Sequence, residues 1–154
     1  MPELSALIER MEGACGSDRE IDAALMVALC GARRVDESNF YGPNQEHWSF
    51  GEHEEESGAW NGPLPHLTAS MDAALAFAKR FGFYIRLEPR FHIDGERVDF
   101  ISYAIRPRWA DYTPLDDWFD VGEGRHADQA LAILIASLKA LQEREGEGRA
   151  TDML

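Results

Sequence analysis

Two histidines lie in the most acidic stretch of the chain and are its clearest candidates for metal or acid–base chemistry. His47 and His53 fall in the segment Glu-His-Trp-Ser-Phe-Gly-Glu-His-Glu-Glu-Glu. Imidazole and carboxylate groups together suit Zn²⁺ or another divalent cation. Their six-residue spacing matches neither a helical pair nor a zinc finger, and no nucleophile motif accompanies them. A small metal-dependent hydrolase is therefore one alternative, and ordinary histidines in an acidic loop are the simpler interpretation.

Acidic side chains are concentrated in two stretches that also carry aromatic residues. Residues 36–57 hold seven acids and residues 111–124 hold five, and neither stretch contains Lys or Arg. Aromatic residues inside a polar rim are typical of protein-binding hot spots. The pattern predicts a surface for a protein partner with a basic surface, although solvated loops that keep the chain soluble are the simpler alternative. The candidate protein-binding residues are Trp48, Glu52, Glu54, Glu55, Glu56, Trp60, Asp116, Asp117 and Trp118.

A third set of candidates lies in a region that alternates like a β-strand. Arg86, Arg106, Tyr84 and Tyr103 would bind an anionic small molecule such as a nucleotide if they shared one face, because guanidinium suits phosphate. Strand alternation places Arg86 with Tyr84, whereas Arg106 alternates against Tyr103. Basic side chains on the wet side of a sheet are the other interpretation.

Charge and composition exclude several classes of function. Against 15 Lys and Arg residues the chain has 28 Asp and Glu, which gives a formal net charge of −13. Direct nucleic-acid binding is not expected, because phosphate contacts need a cationic surface. The longest apolar run, Ala23–Cys30, is too short to span a bilayer, and the N-terminus lacks a secretory signal. We therefore predict a cytoplasmic protein with reduced thiols, no membrane association and no cofactor.

Apolar spacing predicts four helices. Leu4, Leu7 and Ile8 mark the first, and Ser17 or Asp18 begins the second with capping residues. The second helix is apolar all round, so we expect it to be buried on several sides. Because one small sheet covers only one side, a homodimer is one way to bury the rest. The predicted helices cover residues 3–12, 18–30, 71–81 and 126–143.

The strand signals and the order of elements predict the fold class. Residues 83–106 alternate around an Asp-Gly hairpin signal at 94–95, whereas residues 107–124 show no period. The order α-α-loop-α-β-β-β-α predicts an α+β fold, in which an antiparallel β-meander of about three strands packs between or against four helices. We predict one domain over residues 1–143, with an irregular acidic and aromatic insertion at 36–66 and a flexible C-terminal tail at 144–154.

Four stretches of the chain resemble a known family. They are Leu-Ile-Glu-Arg-Met-Glu at 7–12, Ser-Asp-Arg-Glu-Ile-Asp-Ala-Ala-Leu at 17–25, Leu-Thr-Ala-Ser-Met-Asp-Ala-Ala-Leu at 67–75 and Ala-Leu-Ala-Ile-Leu at 130–134. Together they resemble small bacteriophage and prophage proteins of the phage ABA-sandwich domain family. The resemblance implies a sheet between helical layers and a protein made inside a bacterial cell, and it transfers no catalytic or ligand residue. With the acidic surface, it predicts a non-catalytic accessory protein that binds a host or defence protein.

Overall fold

The computed structural model describes residues 2–34, 48–50, 60–91, 98–107 and 118–152. Within these ranges the chain forms four helices and six strands. The helices are α1 (Pro2–Gly13), α2 (Arg19–Cys30), α3 (Met71–Arg80) and α4 (Gln129–Asp152). The strands are β1 (Arg33–Arg34), β2 (Trp48–Phe50), β3 (Trp60–Gly62), β4 (Tyr84–Phe91), β5 (Val98–Pro107) and β6 (Trp118–His126).

The predicted α+β fold is confirmed, with an antiparallel meander of the order β4-β5-β6 and four helices. The third strand of the meander was placed wrongly, because β6 lies in the stretch predicted to be irregular. Its sequence, Trp-Phe-Asp-Val-Gly-Glu-Gly-Arg-His, lacks the alternation of large apolar residues by which strands are recognised. A second antiparallel sheet has the order β1-β2-β3, and its strands β2 and β3 lie within the stretch predicted to be an irregular insertion.

Helix α4 is the centre of the molecule. Every residue from Ala130 to Leu138 is buried, and the helix contacts β5 and β6 as well as α1 and α3. Its buried apolar residues lie on more than one face, because Ile133 and Ile135 are fully buried together with Leu131, Leu134 and Leu138. The helix begins at Gln129 and extends past the predicted end at Glu143. Because α4 contacts β5 and β6 from one side, the described part of the meander packs against the helices through one face.

Two glycines allow α4 to approach the sheet closely. On β6, Gly122 and Gly124 face the helix, and a Cβ at Gly122 would lie 2.7 Å from the backbone nitrogen of Ala140. A Cβ at Gly124 would overlap the carbonyl oxygen of Ala132. Because neither site has room for a methyl group, the backbones of strand and helix are themselves in contact. On β5 the opposing positions are Ser102 and Ala104, which are both fully buried.

Helix α2 is less buried than its sequence predicts. Its buried apolar side chains include Leu25 and Met26, but Val27 is 50% exposed, so the expectation of burial on several sides is wrong. Local signals in this helix are correct. Asp18 is the N-cap, accepting hydrogen bonds from the N–H groups of Glu20 and Ile21. No helix within the described residues is long and apolar enough to cross a membrane.

Candidate functional site

Most of the predicted protein-binding residues lie outside the described residues. These are Glu52, Glu54, Glu55, Glu56, Asp116 and Asp117. Trp60 and Trp118 are the first residues of strands β3 and β6. The sequence positions of the acids can nevertheless be assigned to particular connections between strands.

Three acidic connections join strands that pair with each other. Residues 35–47 connect β1 to β2, residues 51–59 connect β2 to β3, and residues 108–117 connect β5 to β6. The flanking Cα partners are Arg34 with Trp48, Phe50 with Trp60, and Pro107 with Trp118. Antiparallel pairing therefore fixes both ends of each connection at neighbouring positions on a sheet. We call residues 35–47, 51–59 and 108–117 the acidic connections.

Trp48 does not belong to an exposed surface. It is 7% exposed and lies in the hydrophobic core with residues such as Leu64 and Leu67. Among the residues that the structure describes, its buried indole N–H has no hydrogen-bond acceptor. The prediction that Trp48 is an exposed anchor for a partner is therefore wrong. The strand β2 uses this aromatic ring to attach the small sheet to the core, since the burial of a large ring stabilises the attachment.

The metal candidates stay a prediction. His47 and His53 lie outside the described residues, in the first and second acidic connections. Among the residues that the structure does describe, no group of three His, Cys, Asp or Glu side chains is arranged to hold a metal ion.

The outer face of the meander brings together three of the four anion-binding candidates. Arg86 and Tyr103 are Cα partners on β4 and β5, and the Arg86 guanidinium carbon lies 4.4 Å from the centre of the Tyr103 ring. Tyr84 shares this face and is half exposed. Arg106 occupies the alternate register position of β5, opposite Phe119. The strand register therefore places Arg86 with Tyr84 and Arg106 on the opposite parity from Tyr103, as the sequence alternation predicts.

Carboxylates share this outer face with the arginines. Arg86 Nε lies 3.5 Å from Glu88 Oε1, and Arg125 Nε lies 3.4 Å from Glu123 Oε1. All four side chains are about half exposed, so each pair contributes little to stability. The mixture of signs matters more for function. A phosphate on this face would meet carboxylates next to each of these arginines, which disfavours a site for an anionic small molecule.

A cleft lies where the α1–α2 turn meets the end of β6. Its volume is about 410 Å³, and it is lined by Glu12, Ala14, Cys15, Asp99, Arg125, His126 and Ala127. Sequence reasoning missed it, because the turn and the end of β6 are more than a hundred residues apart. The short Gly-Ser-Asp signal after Cys15 marks a turn but says nothing about what packs against it.

The imidazole in this cleft is held by two hydrogen bonds. Nε2 of His126 lies 2.7 Å from the carbonyl oxygen of Ala14, so this nitrogen carries the proton and donates. The N–H of Asp128 donates to Nδ1 over 2.8 Å. Because both ring nitrogens are engaged with the backbone, His126 has no lone pair left to activate the thiol of Cys15. The ring joins the α1–α2 turn to the start of α4 and is not arranged as a catalytic base.

The two cysteines differ in environment. Cys15 is exposed at the cleft, and Cys30 is buried at the end of α2. Burial raises the pKa of the Cys30 thiol, and the charge of Arg80 opposes this shift. At neutral pH Cys30 is therefore a protonated core side chain.

A buried carboxylate holds in place the segment that follows β3, the last strand of the small sheet. Asp22 is fully buried, lies 2.9 Å from the Arg19 guanidinium and accepts a hydrogen bond from the N–H of Thr68 over 2.8 Å. Arg19 also donates to the carbonyl oxygens of Leu64 and Pro65. These bonds tie the segment that leaves β3 to the N-terminal turn of α2. The scaffold that carries the second acidic connection is thus anchored by a charged, hydrogen-bonded network.

Comparison with family models, curated proteins and solved structures finds no match to this chain. The resemblance to the phage ABA-sandwich domain family therefore stays a prediction from the residues that carry it.

Proposed function

We propose that this chain is a non-catalytic phage or prophage accessory protein that acts in the bacterial cytoplasm. It binds a host or defence protein that has a basic surface, through the acidic connections. The assignment to phage or prophage rests on the resemblance of the helical segments given above. The assignment to protein binding rests on where the charge lies.

The distribution of charge supports this proposal. The acidic connections contain ten acidic residues and one basic residue, Arg108, and so hold −9 of the net charge of −13. They make up only 32 residues of the 154. The described ranges contain 16 acids and 13 bases, which is close to balance. Solubility alone needs no such separation, whereas a concentrated field of one sign attracts and orients a partner of the opposite sign.

The scaffold suits loops that bind. Each acidic connection begins and ends on paired strands, and the small sheet is attached to the core through Trp48 and the Asp22 network. Binding residues are commonly placed on loops that a rigid scaffold positions. Fixing the ends of a loop also lowers the entropy that is lost when the loop meets its partner.

A pair of charge variants tests the proposal. Glu54, Glu55 and Glu56 are changed to Lys in one variant, and the exposed Glu3, Glu9 and Glu143 are changed to Lys in the other. Both variants move the net charge by the same six units, but only the first alters an acidic connection. Tagged proteins capture partners from a bacterial lysate at about 0.15 M salt, where surface charges interact over roughly 8 Å. Captured proteins are then identified by mass spectrometry and rebound in purified form.

We expect the first variant to lose a basic protein that the wild type and the second variant both retain. Equal loss in the two variants would show that net charge alone causes the capture. Full retention by the first variant would remove residues 54–56 from the binding surface. Either result would contradict binding through the local charge of the second acidic connection.

A further inference from the structure

The two faces of the meander differ in how they are covered. Helix α4 lies against the inner face, where it contacts the backbone of β6. On the outer face the side chains of Arg86, Glu88 and Glu123 are about half exposed, and that of Arg125 is 63% exposed. A partner can therefore approach the outer face without meeting α4.

Four charged side chains, two on each flanking strand, form a square on the outer face. The register of the strands places Arg86 and Glu123 level with Tyr103 of β5, and Glu88 and Arg125 level with Ile101. The sign of the charge therefore alternates along β4, along β6 and across β5. We call these four residues the charge square.

We propose that a second copy of this chain packs against the charge square, outer face to outer face, about a twofold axis parallel to β5. This rotation places β4 of one copy over β6 of the other. Arg86 then faces Glu123 of the partner subunit, and Glu88 faces the partner subunit's Arg125. Because each contact occurs twice in an isologous interface, the charge square makes four ion pairs with itself.

The charge square selects a second copy over other partners. The rotation brings each positive corner over a negative corner, so the pattern is its own complement. A surface of one sign, whether basic or acidic, would meet like charges at two of the four corners, and like charges across an interface suppress binding. A protein with a uniformly charged surface therefore fits this face less well than another copy of the same face.

The central strand determines the direction of the axis. Ile101, Tyr103 and Ile105 project from β5 on the outer face, and an axis along β5 places each of them over its own counterpart. Tyr103 and Ile105 are partly exposed, so this contact covers apolar surface. An axis across the strands would also pair the four charges, but it would place Ile105 over Asp99 of the partner subunit.

The arrangement is free of conflict between the helices. Two sheets packed face to face lie about 10 Å apart, and each α4 stays on the far side of its own sheet. Asp99 faces its own counterpart, but it lies about 13 Å along β5 from Tyr103, where sheets that cross at about 30° have diverged. The dimer is thus a sandwich of four layers, with a sheet pair between two layers of helices.

The size of the contact sets its strength. Three strands about 4.8 Å apart, taken over five residues of about 3.3 Å each, span roughly 240 Å². Each partner in a stable complex buries about 800 Å². We therefore expect a reversible dimer that forms at high micromolar concentration.

Two charge swaps of equal composition test this dimer. The first, Arg86→Glu/Glu88→Arg, exchanges the charges within β4, and the second, Arg86→Glu/Glu123→Arg, exchanges them across β5. Both keep the net charge of −13. The first keeps an acid beside a base on each strand but places like charges opposite each other in the dimer. The second places like charges side by side on each strand but keeps opposite charges facing each other in the dimer.

Sedimentation equilibrium from about 10 to 500 µM measures association, with circular dichroism and thermal unfolding as folding controls. Wild type should dimerise in this range, and the second variant should dimerise within about threefold of the wild-type affinity. The first variant should dimerise at least about tenfold more weakly, although its local ion pairs are kept. Adding Glu123→Arg/Arg125→Glu to the first variant reverses all four charges and should restore dimerisation.

Three results would overturn the proposal. One is a wild type that is monomeric at about 500 µM. Another is equal association of the two folded variants, which would show that the facing charges do not determine the contact. The third is dimerisation of the first variant with loss in the second, which would contradict an axis along β5.

Discussion

Strands β4 and β6 flank the same central strand, yet they are held against the molecule in different ways. On β4 the inner face carries Ile85 and Leu87, whose side chains pack against the core. On β6 the corresponding face carries Gly122 and Gly124, and the backbone of α4 fills the space that side chains would occupy. The comparison shows that a strand can be held in the fold in two ways. Its apolar side chains can pack against the core, or its glycines can let a helix backbone pack directly against it.

The largest effect should come from adding a methyl group to β6. Gly124→Ala places Cβ against the carbonyl oxygen of Ala132, and backbone atoms on both sides leave no flexible group to move. We expect the free energy of unfolding in urea to fall by about 3 kcal/mol or more, the upper end of the cost of overpacking a core. Gly16→Ala is the matched control, because nothing lies within 4 Å of a Cβ at Gly16. Equal effects at the two sites would contradict the close packing.

Removing side-chain volume from β4 should cost less. Leu87→Ala deletes a partly buried side chain that packs against the core. Because Leu87 is partly exposed, the substitution removes less buried apolar surface and leaves a smaller cavity than it would at a fully buried site. We expect a loss of about 1–2 kcal/mol in the same urea experiment. A loss larger than that of Gly124→Ala would reverse the order on which the comparison of the two strands rests.

The end of β6 offers a smaller and more specific effect. His126→Asn keeps an acceptor near the position of Nδ1 for the Asp128 N–H but removes the Nε2 donor to Ala14. We expect a loss of about 1 kcal/mol, the net value of one hydrogen bond. His126→Phe removes both bonds and leaves the Asp128 N–H unsatisfied, and should cost about 2 kcal/mol. If the two variants unfold at the same urea concentration, the imidazole does not join turn and helix as described.

The smallest effect concerns the outer face of β4. Because Arg86 is placed beside Glu88 and stacked on Tyr103, we expect 1 mM ATP or ADP to leave the melting temperature within about 1 °C of the ligand-free value. Arg86→Ala should itself cost less than about 1 kcal/mol, as exposed ion pairs and cation–π contacts do. A rise of several degrees that Arg86→Ala abolishes would instead support a site for an anionic small molecule.

Signals carried by a few neighbouring residues could be read from the sequence. Asp18, one of the two residues predicted to begin α2, is its N-cap; Ser70 is the N-cap of α3, and Gly31 ends α2 in a left-handed conformation. The alternation of residues 83–88 correctly predicts β4. In each case the side chain or the backbone freedom of the residue itself determines the local structure.

Features that depend on distant parts of the chain could not be read. The apolar runs of α2 and α4 are similar in length, but only α4 is covered on all sides, because the glycines of β6 admit it. The same glycines remove the alternation of apolar side chains that identifies a strand. The close packing of β6 against α4 therefore depends on residues that make β6 hard to recognise in the sequence. The cleft joins residues on opposite ends of the chain, and the acidic connections acquire their flanking partners only through strand pairing.

Native-state hydrogen exchange, resolved by residue, tests most directly that residues 118–126 form a strand held by α4. The N–H groups of β6 that bond to β5 should be protected as strongly as those of β5 itself, close to the free energy of global unfolding. In Gly124→Ala their protection should fall together with that of α4. Exchange in wild-type β6 at the rate of an unstructured glycine-rich segment, while β4 and β5 stay protected, would contradict the account.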